Sequence, residues 1–408
     1  MVSAFPRNIL IAPSGFKESL DAHQVSEAIA AGVRRALPGA FIKSVPIADG
    51  GEGTARTLAQ ATGGKVVPAK VTGPVGQPVN AHFALLGGQG EGTAVVEMAA
   101  AAGLSLVPRD QRDPGATTTR GVGELMVRAL DAGATQILVG CGDSGTSDGG
   151  MGALKALGVR VLDEDGQEVP DGGAHLAEVR SLDLSDLHPS LREGQVEVTL
   201  ALNPHNVLTG ERGVAKVFGP QKGATPDQVK QLSEGFENWA GVLDEHCLET
   251  VRGTDFRAAP GTGASGGLGA GLAAIGAHLM PRFEALLDSG LAGVDLDDLL
   301  TKADLVITAE GAIDFQTPQG KVPAEVAKRA GERGVPVIGL AGTLGEGSRG
   351  VYDIGIDAIA SIVSIPMTLE DAVAEGERLL TEATERLLRT LLLGATLAEK
   401  RLDPRGGW

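Results

Sequence analysis

One pattern recurs along the chain: a short apolar run, then a glycine-rich loop that carries an acid or a lysine, then a helical periodicity. It occurs as ILIAPSGFKES (9–19), VPIADGGEGT (45–54), ILVGCGDSGTSDGGMGAL (137–154), LVITAEGAID (305–314) and VIGLAGTLGEG (337–347). Strands that feed a loop and then a helix build parallel sheets covered by helices. The pattern therefore predicts an α/β protein whose strands end in glycine-rich loops.

The two ends of the chain together predict one doubly wound, Rossmann- or flavodoxin-like parallel sheet. The strand-like runs are NILIAP, FIKSVPI, ADLVITAEG, PVIGLAG and DAIASIV. Helical patterns lie near 21–36, 321–333 and 369–393. Neither end alone has enough strands for a stable domain, so we predict one discontinuous domain from residues 1–67 and 285–408.

The middle of the chain predicts an inserted mixed α/β domain over residues 68–284. VTGPVGQPVNAHFALL alternates and turns on Gly and Pro like a hairpin, and QVEVTLAL adds a strand. Helical patterns at 119–132 and 226–246 interleave with these strands. Ligands of two-domain α/β proteins bind at the carboxyl ends of strands and between domains, so we expect the active site in the interdomain cleft.

Charge and cysteine content narrow the classes of partner. The net charge is −17 and no Lys/Arg-rich run occurs, which argues against nucleic-acid binding. Cys141 and Cys247 cannot build a disulfide framework, so a reducing cytoplasm is expected. MVSAFPRNIL has no signal-peptide core and GLGAGLAAIGAHLM is too short to span a bilayer, so no membrane association is expected.

Lys17 points to an anionic ligand. It lies where a helix is predicted to begin, and a cation there is unfavourable unless an anion sits between it and the helix N-terminus. The glycine-rich loops can offer free N–H groups to the same kind of ligand, but their carboxylates would repel it without a bridging cation. The combination predicts phosphate together with Mg²⁺.

Carboxylates in these loops are the candidate magnesium ligands, because Mg²⁺ prefers oxygen and usually takes one or two carboxylates with waters and phosphates. They are Asp49, Glu52, Asp148, Glu310 and Asp314. A lysine or N–H cradle, a metal and a carboxylate near an attacking hydroxyl suffice for phosphoryl transfer. We therefore look for a kinase site without a covalent nucleophile.

Three of the candidates have ordinary structural alternatives that stay open. Asp49 followed by Gly is also a common turn, and Asp148 before two glycines also suits a helix N-cap. Lys222 in VFGPQKGAT is either a solvated loop tip or an anion contact.

A G-x-G-x-x-G spacing at Gly261, Gly263 and Gly266 invites comparison with dinucleotide-binding loops. That fingerprint requires a preceding strand, whereas VRGTDFRAAP has charges and a proline there. A nicotinamide-dependent oxidoreductase thereby loses its main support. The segment instead opens a glycine-rich helix packed closely on a neighbour, or places N–H groups beside a phosphate.

An ordered set of motifs over nearly the whole chain resembles the bacterial glycerate kinases. The motifs are APSGFKESL, PIADGGEGT, VTGPVGQPV, EMAAAAGL, TTTRGVGEL, SGTSDGGMGALKALGVR, GVAKVFGPQKGATPDQV, GASGGLGAG and AEGAIDFQTPQGKVPAEVA. The resemblance implies Mg²⁺-dependent transfer of the ATP γ-phosphoryl group to a hydroxyl of D-glycerate, commonly O2. Its implied partners are ATP and a hydroxy acid, and a homodimer is left open.

The matching positions and the glycine loops give three sets of candidate residues. The catalytic set is Lys17, Asp49, Asp148 and Asp314. The set that binds substrate or phosphate is Ser14, Gly50, Gly51, Lys222, Gly266, Gly267, Glu310 and Lys321. The metal ligands are Glu52 and Asp148.

The chain departs from the family pattern among these candidates. Ser14 stands where many members have Asp, Asn203 and His205 replace two further acids, and Ala312 replaces Arg. The acid Asp143 is added in the loop at 140–150. These differences keep open a kinase of another small hydroxy acid and a non-catalytic metabolite-binding relative. The oxidoreductase is kept as a third alternative.

Overall fold

The computed structural model describes residues 5–16, 19–291, 293 and 295–402, and no side chain beyond residue 398. Lys17 lies outside these residues, so its predicted role stays a prediction. The chain divides into two compact units. The first runs to Ala48 and resumes after Gly293, and the second spans Asp49–Gly293.

The elements are numbered in chain order. The strands are β1 (Asn8–Ile11), β2 (Phe41–Ser44), β3 (Lys65–Thr72), β4 (Pro78–Leu85), β5 (Thr93–Glu97), β6 (Gln136–Gly140), β7 (Arg160–Leu162), β8 (Ser181–Asp183), β9 (Glu197–Leu202), β10 (His278–Pro281), β11 (Leu305–Ile313), β12 (Val337–Leu344) and β13 (Ala358–Ser361). The α-helices are α1 (Ala22–Ala36), α2 (Thr54–Thr62), α3 (Met98–Ala102), α4 (Arg120–Asp131), α5 (Met151–Ala156), α6 (Pro189–Arg192), α7 (Val214–Phe218), α8 (Pro226–His246), α9 (Ala264–Ala273), α10 (Leu296–Leu300), α11 (Val322–Gly331), α12 (Leu369–Ala374) and α13 (Gly376–Leu402).

The first unit contains the predicted parallel sheet. Its five strands lie in the order β13-β12-β11-β1-β2, and every neighbouring pair is parallel. Ile9, Ile11 and Ile307 are buried, as expected for apolar strands covered on both faces. The chain leaves β1 for β2 on one side and returns to β11 on the other. The carboxyl ends of β1 and β11 therefore form the topological switch point, where ligands of open α/β sheets bind.

The helices of the first unit follow the predicted periodicities. Asp21 caps α1 and forms a capping box with Gln24. At Gly32 an added Cβ would lie 2.5 Å from the Thr381 carbonyl oxygen, so α1 and α13 approach at backbone distance. The single helix predicted near 369–393 is two helices, because the helical conformation is interrupted at Glu375. Among the described residues, no helix is both long enough and apolar enough to cross a bilayer.

The second unit is the predicted mixed α/β domain. Its main sheet has the order β10-β9-β6-β5-β4-β3, with β3, β4 and β5 antiparallel and the other neighbours parallel. The predicted hairpin is β3–β4 and the predicted strand in QVEVTLAL is β9. Strands β7 and β8 form a separate antiparallel pair. Trp239, Phe236 and Phe256 are fully buried in the core.

The boundaries between the units differ from the predicted ones. Residues 49–67 and 285–293 belong to the second unit, whereas the sequence placed them in the first. The reason lies in β3, which pairs with β4 from Lys65 opposite Leu85 to Thr72 opposite Pro78. Because a hairpin pairs along its whole length, the boundary cannot fall inside β3.

Candidate active site

Three predicted site residues of the first unit form one ionic cluster. Lys321 Nζ lies 3.0 Å from Glu310 Oε1 and 3.7 Å from Asp314 Oδ1. Glu310 is near the end of β11, Asp314 follows that strand, and Lys321 directly precedes α11. The exposed fraction of the side chain is 28% for Lys321, 16% for Glu310 and 24% for Asp314. A mixed-charge cluster that keeps solvent access at a switch point can receive a polar ligand.

Ser14 lies at the same edge, just after β1. Its hydroxyl donates to the Ala309 carbonyl oxygen at 3.1 Å, and its N–H donates to the same oxygen at 2.9 Å. Both groups therefore tie the end of β1 to β11. The predicted contact of Ser14 with substrate stays a prediction.

The loop 49–53 of the second unit uses its glycine N–H groups internally. Gly50 N–H donates to Thr54 Oγ1 at 3.0 Å, and Gly51 N–H donates to Asp49 Oδ1 at 2.9 Å. These two N–H groups are hydrogen-bonded to the side chains of Asp49 and of Thr54, the first residue of α2, and their predicted contact with phosphate stays a prediction. A phosphate that bound there would have to displace Asp49 and Thr54, so the geometry does not support Gly50 and Gly51 as a ready anion cradle.

Acidic side chains surround Gly51. An added Cβ at this glycine would lie 2.6 Å from Asp143 Oδ2 and 3.1 Å from Asp49 Oδ1. Asp143 Oδ2 also accepts the Glu52 N–H at 3.2 Å, while the exposed Glu52 carboxylate makes no ion pair in the described part of the chain. No group of three or more His, Cys, Asp or Glu that could hold a metal occurs among the described residues. The acids fit an ion that arrives with phosphate ligands better than an ion held by protein alone.

Asp148 is fully buried in the loop before α5. Its Oδ2 accepts hydrogen bonds from Thr119 N–H and Oγ1, both at 2.8 Å, and from Gly152 N–H at 3.1 Å. Its Oδ1 accepts from Gly150 N–H at 3.1 Å. Burial raises the pKa of this carboxyl, and the hydrogen bonds oppose the rise. The predicted roles in catalysis and metal binding find no support here, because both oxygens are occupied and the group is shielded from solvent.

Lys222 is not a solvated loop tip, since only 2% of it is exposed. Its Nζ donates to Ser144 Oγ at 2.9 Å and to the Thr146 carbonyl oxygen at 2.6 Å. Burial lowers the pKa of the amine to about 7, and the negative charge of Asp148 acts in the opposite direction. The amine is held against the loop that follows β6.

Gly266 and Gly267 have positive φ angles of 71° and 91° at the start of α9. An added Cβ at Gly266 would lie 2.0 Å from the Thr146 carbonyl oxygen, and one at Gly267 would lie 2.8 Å from Gly149 Cα. The segment before them forms turns and no strand, as the rejection of a dinucleotide fingerprint requires. The close-packing interpretation is confirmed, and phosphate contact stays a prediction.

Comparison with known proteins decides the class of this chain. A sequence model of the glycerate kinase family matches residues 9–392. The chain belongs to the glycerate kinase family. It is 46% identical to the glycerate kinase of Bacillus subtilis (strain 168), over 96% of this chain and 98% of the relative. It is 41% identical to the glycerate 2-kinase of Escherichia coli (strain K12), over 95% of this chain and 98% of the relative.

A solved structure agrees with the family. The crystal structure of a putative glycerate kinase 2 from Salmonella typhimurium LT2 matches with a TM-score of 0.79 and 41% identity, covering 95% of this chain and 99% of that one. The resemblance drawn from the motifs is therefore confirmed, and the chain is an enzyme, a glycerate kinase by family. The family decides against the oxidoreductase and the non-catalytic relative.

Two of the positions where this family member departs from the motif pattern have clear local structure. Asn203 Oδ1 accepts the His205 N–H at 3.0 Å, so the pair forms a turn after β9. Ala312 lies in β11, two residues past Glu310. It places a methyl group where the motif pattern has a cation.

Sequence reasoning missed Glu97 in this glycerate kinase family member. Its carboxylate is fully buried and accepts the N–H groups of Ala55 at 2.5 Å and Gly53 at 3.4 Å, at the start of α2. Burial raises the pKa of Glu97 to about 7, and these two hydrogen bonds oppose the rise. The sequence does mark this residue, because Glu97 is an acid at the end of an apolar run and the first residue of the motif EMAAAAGL.

Proposed function

We propose that this family member transfers the γ-phosphoryl group of ATP to the 2-hydroxyl of D-glycerate, giving 2-phosphoglycerate and ADP. The observation that carries the proposal is the 41% identity, over 95% of the chain, to a relative whose name specifies glycerate 2-kinase. In this reaction a bond forms between O2 and the γ-phosphorus, the bond from that phosphorus to ADP breaks, and the hydroxyl proton leaves.

The cluster of Lys321, Glu310 and Asp314 supports the first unit's part in the reaction. Lys321 brings a cation to the switch point, and its two acids fix where that cation lies. Asp314 and Asp49 are the carboxylates proposed to accept the hydroxyl proton. A positioned carboxylate suffices as the proton acceptor, because the alcohol loses its proton late in a loose transition state. Lys17 and Ser14 remain proposed contacts of substrate or phosphate.

Mg²⁺ is proposed to enter with ATP. Asp49 and Glu52 are the residues that would hold it, since both offer carboxylate oxygens and Glu52 is exposed without an ion pair in the described residues. When bound, the ion neutralises charge on the phosphate oxygens. Asp148 is proposed to position the loop before α5, because both of its carboxylate oxygens already accept hydrogen bonds.

The test is ADP release from purified protein with Mg²⁺, ATP and D-glycerate. We expect turnover that requires both substrates and is abolished by EDTA. Phosphorus NMR of the product should show 2-phosphoglycerate. A product phosphorylated on O3 would overturn the assignment of the hydroxyl, and the absence of ADP release with D-glycerate would overturn the function.

A kinase of another small hydroxy acid is the second candidate. The turn formed by Asn203 and His205, in place of two acids, is the observation that favours it. Assays with L-glycerate, glycolate and D-lactate compare the candidates, and a higher kcat/KM for one of these than for D-glycerate would favour the second. A cytoplasmic location is proposed from the free thiols Cys141 and Cys247. The homodimer stays open.

A further inference from the structure

The buried amine of Lys222 has one donor left over. An ammonium carries three N–H donors, and two of them are used on Ser144 Oγ and the Thr146 carbonyl oxygen. Among the described residues, this amine makes no third hydrogen bond and no ion pair within contact distance. A buried cation without an anion in direct contact is costly, and burial lowers the pKa of the amine to about 7 although the charge of Asp148 opposes the shift. An anion delivered by a ligand would remove that cost.

Hydroxyl groups on the facing loop are also unused. Ser144 is half-buried and accepts a hydrogen bond from Lys222, so its own O–H remains available to donate. In the same loop, Thr146 Oγ1 and Ser147 Oγ are buried without a hydrogen-bond partner. Buried hydroxyls are normally paired, so unpaired ones in the loop that the Lys222 amine contacts mark a place prepared for a ligand. Access is from the side of Ser144, the partly exposed member of the pair.

The charge of the surroundings selects the kind of anion. The charge of the buried Asp148 acts on this single lysine. A polyphosphate brings several negative charges, which one ammonium close to Asp148 cannot balance. A carboxylate carries one charge, which one ammonium and neighbouring hydroxyl donors can match.

We infer that Lys222 and Ser144 form an anion subsite that takes the carboxylate group of the hydroxy-acid substrate. The amine supplies the charge, and the Ser144 hydroxyl supplies a second donor on the solvent side. The inference rests on the proposed function, because it assumes that the acceptor substrate is a hydroxy acid. It goes further by assigning the carboxylate end of that substrate to the second unit.

The subsite is tested by comparing the kinetics of an acceptor that has a carboxylate with those of an acceptor that lacks it. Glycerol has the hydroxyls of glycerate but lacks the carboxylate, so we compare both acceptors in Lys222→Met and in the control Lys216→Met, an exposed lysine paired with Glu211. Lys222→Met should lower kcat/KM for D-glycerate about 50-fold while changing the value for glycerol and the KM for ATP less than about 2-fold. Ser144→Ala should lower kcat/KM for D-glycerate about 5-fold. Lys216→Met should behave as the wild type. A rise in the KM for ATP with unchanged kinetics for D-glycerate would assign the subsite to phosphate and overturn the inference.

Binding measured by calorimetry separates this inference from the proposed function. D-glycerate binding to the wild type should take up protons near pH 7.5, detected by comparing two buffers of different ionisation enthalpy, because the anion favours the charged amine. Lys222→Met should lose both the uptake and most of the affinity. If D-glycerate binds in this way without ADP release, the proposed function fails and the subsite stands. If the wild type does not bind D-glycerate, or if Lys222→Met binds it equally well, the subsite is refuted. Should Lys222→Met fail to fold, judged by circular dichroism, Ser144→Ala decides: an affinity for D-glycerate about 5-fold below that of the wild type, with proton uptake retained, supports the subsite, and an unchanged affinity refutes it.

Discussion

Asp148 and Lys222 are two buried charged groups that differ in how many of their hydrogen bonds are made, and therefore in whether they can still bind a ligand. The carboxylate of Asp148 accepts bonds from three residues around it, all within the second unit. The amine of Lys222 has only Ser144 and Thr146 as partners and keeps one donor. A saturated buried charge fixes the backbone, whereas an unsaturated one remains able to bind. Residue type alone did not distinguish the two, since both were predicted as site residues.

The pH dependence of stability should report on Lys222. Burial lowers its pKa from 10.5 to about 7 in the folded state. Between these values the unfolded chain holds a proton that the folded protein has lost, so the free energy of unfolding rises with pH by at most about 1.4 kcal/mol per unit from this group. Urea unfolding at pH 6.5, 8 and 9.5 measures this contribution as the free energy of unfolding of the wild type minus that of Lys222→Met. This difference should increase with pH, and a flat or falling difference would contradict the assigned pKa.

Helix α9 shows how one element fixes another through glycine. Its first turn has positive φ angles at Ser265, Gly266 and Gly267, and packs its backbone on the loop 146–149. Gly149 N–H donates to the Gly266 carbonyl oxygen at 3.0 Å. Gly266 and Gly267 therefore allow the backbone of α9 to pack closely on the loop 146–149, in addition to adopting positive φ angles. The loop they support is the one that holds Ser144 against Lys222.

Two glycine substitutions separate backbone strain from packing. Gly266 and Gly253 both have positive φ, 71° and 91°, but an added Cβ meets the Thr146 carbonyl oxygen at 2.0 Å in the first case and nothing within 4 Å in the second. Gly253→Ala should lower the free energy of unfolding by about 1 kcal/mol. Gly266→Ala should lower it by about 3 kcal/mol, because overpacking adds to the same strain. Equal effects in urea unfolding would contradict the close-packing interpretation.

At the scale of the whole molecule, the chain builds two separate hydrophobic cores. One contains Ile9, Ile29, Ile307 and Leu340 and is assembled from both ends of the sequence. The other contains Phe236 and belongs to the continuous second unit. The charged cluster of the first unit and the buried lysine of the second are thus supported by different cores. A substitution in one core is expected to act first on the site that this core supports.

The continuous unit should fold when it is expressed alone. Residues 49–293 contain a six-stranded sheet and a complete core that includes Trp239, so their own burial suffices for a cooperative transition. Thermal unfolding followed by circular dichroism and by Trp fluorescence should give coincident transitions. A fragment that shows no cooperative transition would contradict the independence of this core. The natural control is a fragment of residues 68–284, the boundaries predicted from sequence, which lacks α2 and three of the eight residues of β3 and should be less stable.

Local sequence determined much of this protein: the parallel sheet of the first unit, the hairpin and α8 of the second, and the glycine-rich loops at strand ends. These features depend on periodicity and capping, which neighbouring residues carry, as Asp21 and Gln24 do for α1. The family followed from motifs in order. The cluster of Glu310, Asp314 and Lys321 was also within reach, because all three were predicted as site residues and lie close together in sequence.

Tertiary structure alone decided which groups of the site are exposed or buried. It also decided which of them have all their hydrogen bonds made and which keep an unused donor. Lys222 meets Ser144 across 78 residues, Asp148 meets Thr119 across 29, and Glu97 reaches Ala55 across 42. The unit boundary at 48 likewise depends on contacts between elements that are distant in sequence. The hydrogen bonds of the Gly50 and Gly51 N–H groups span only four and two residues, but residue type alone does not show that they form. Burial and hydrogen-bond partners depend on residues that are distant along the chain and adjacent only after folding, so a local pattern carries no record of them.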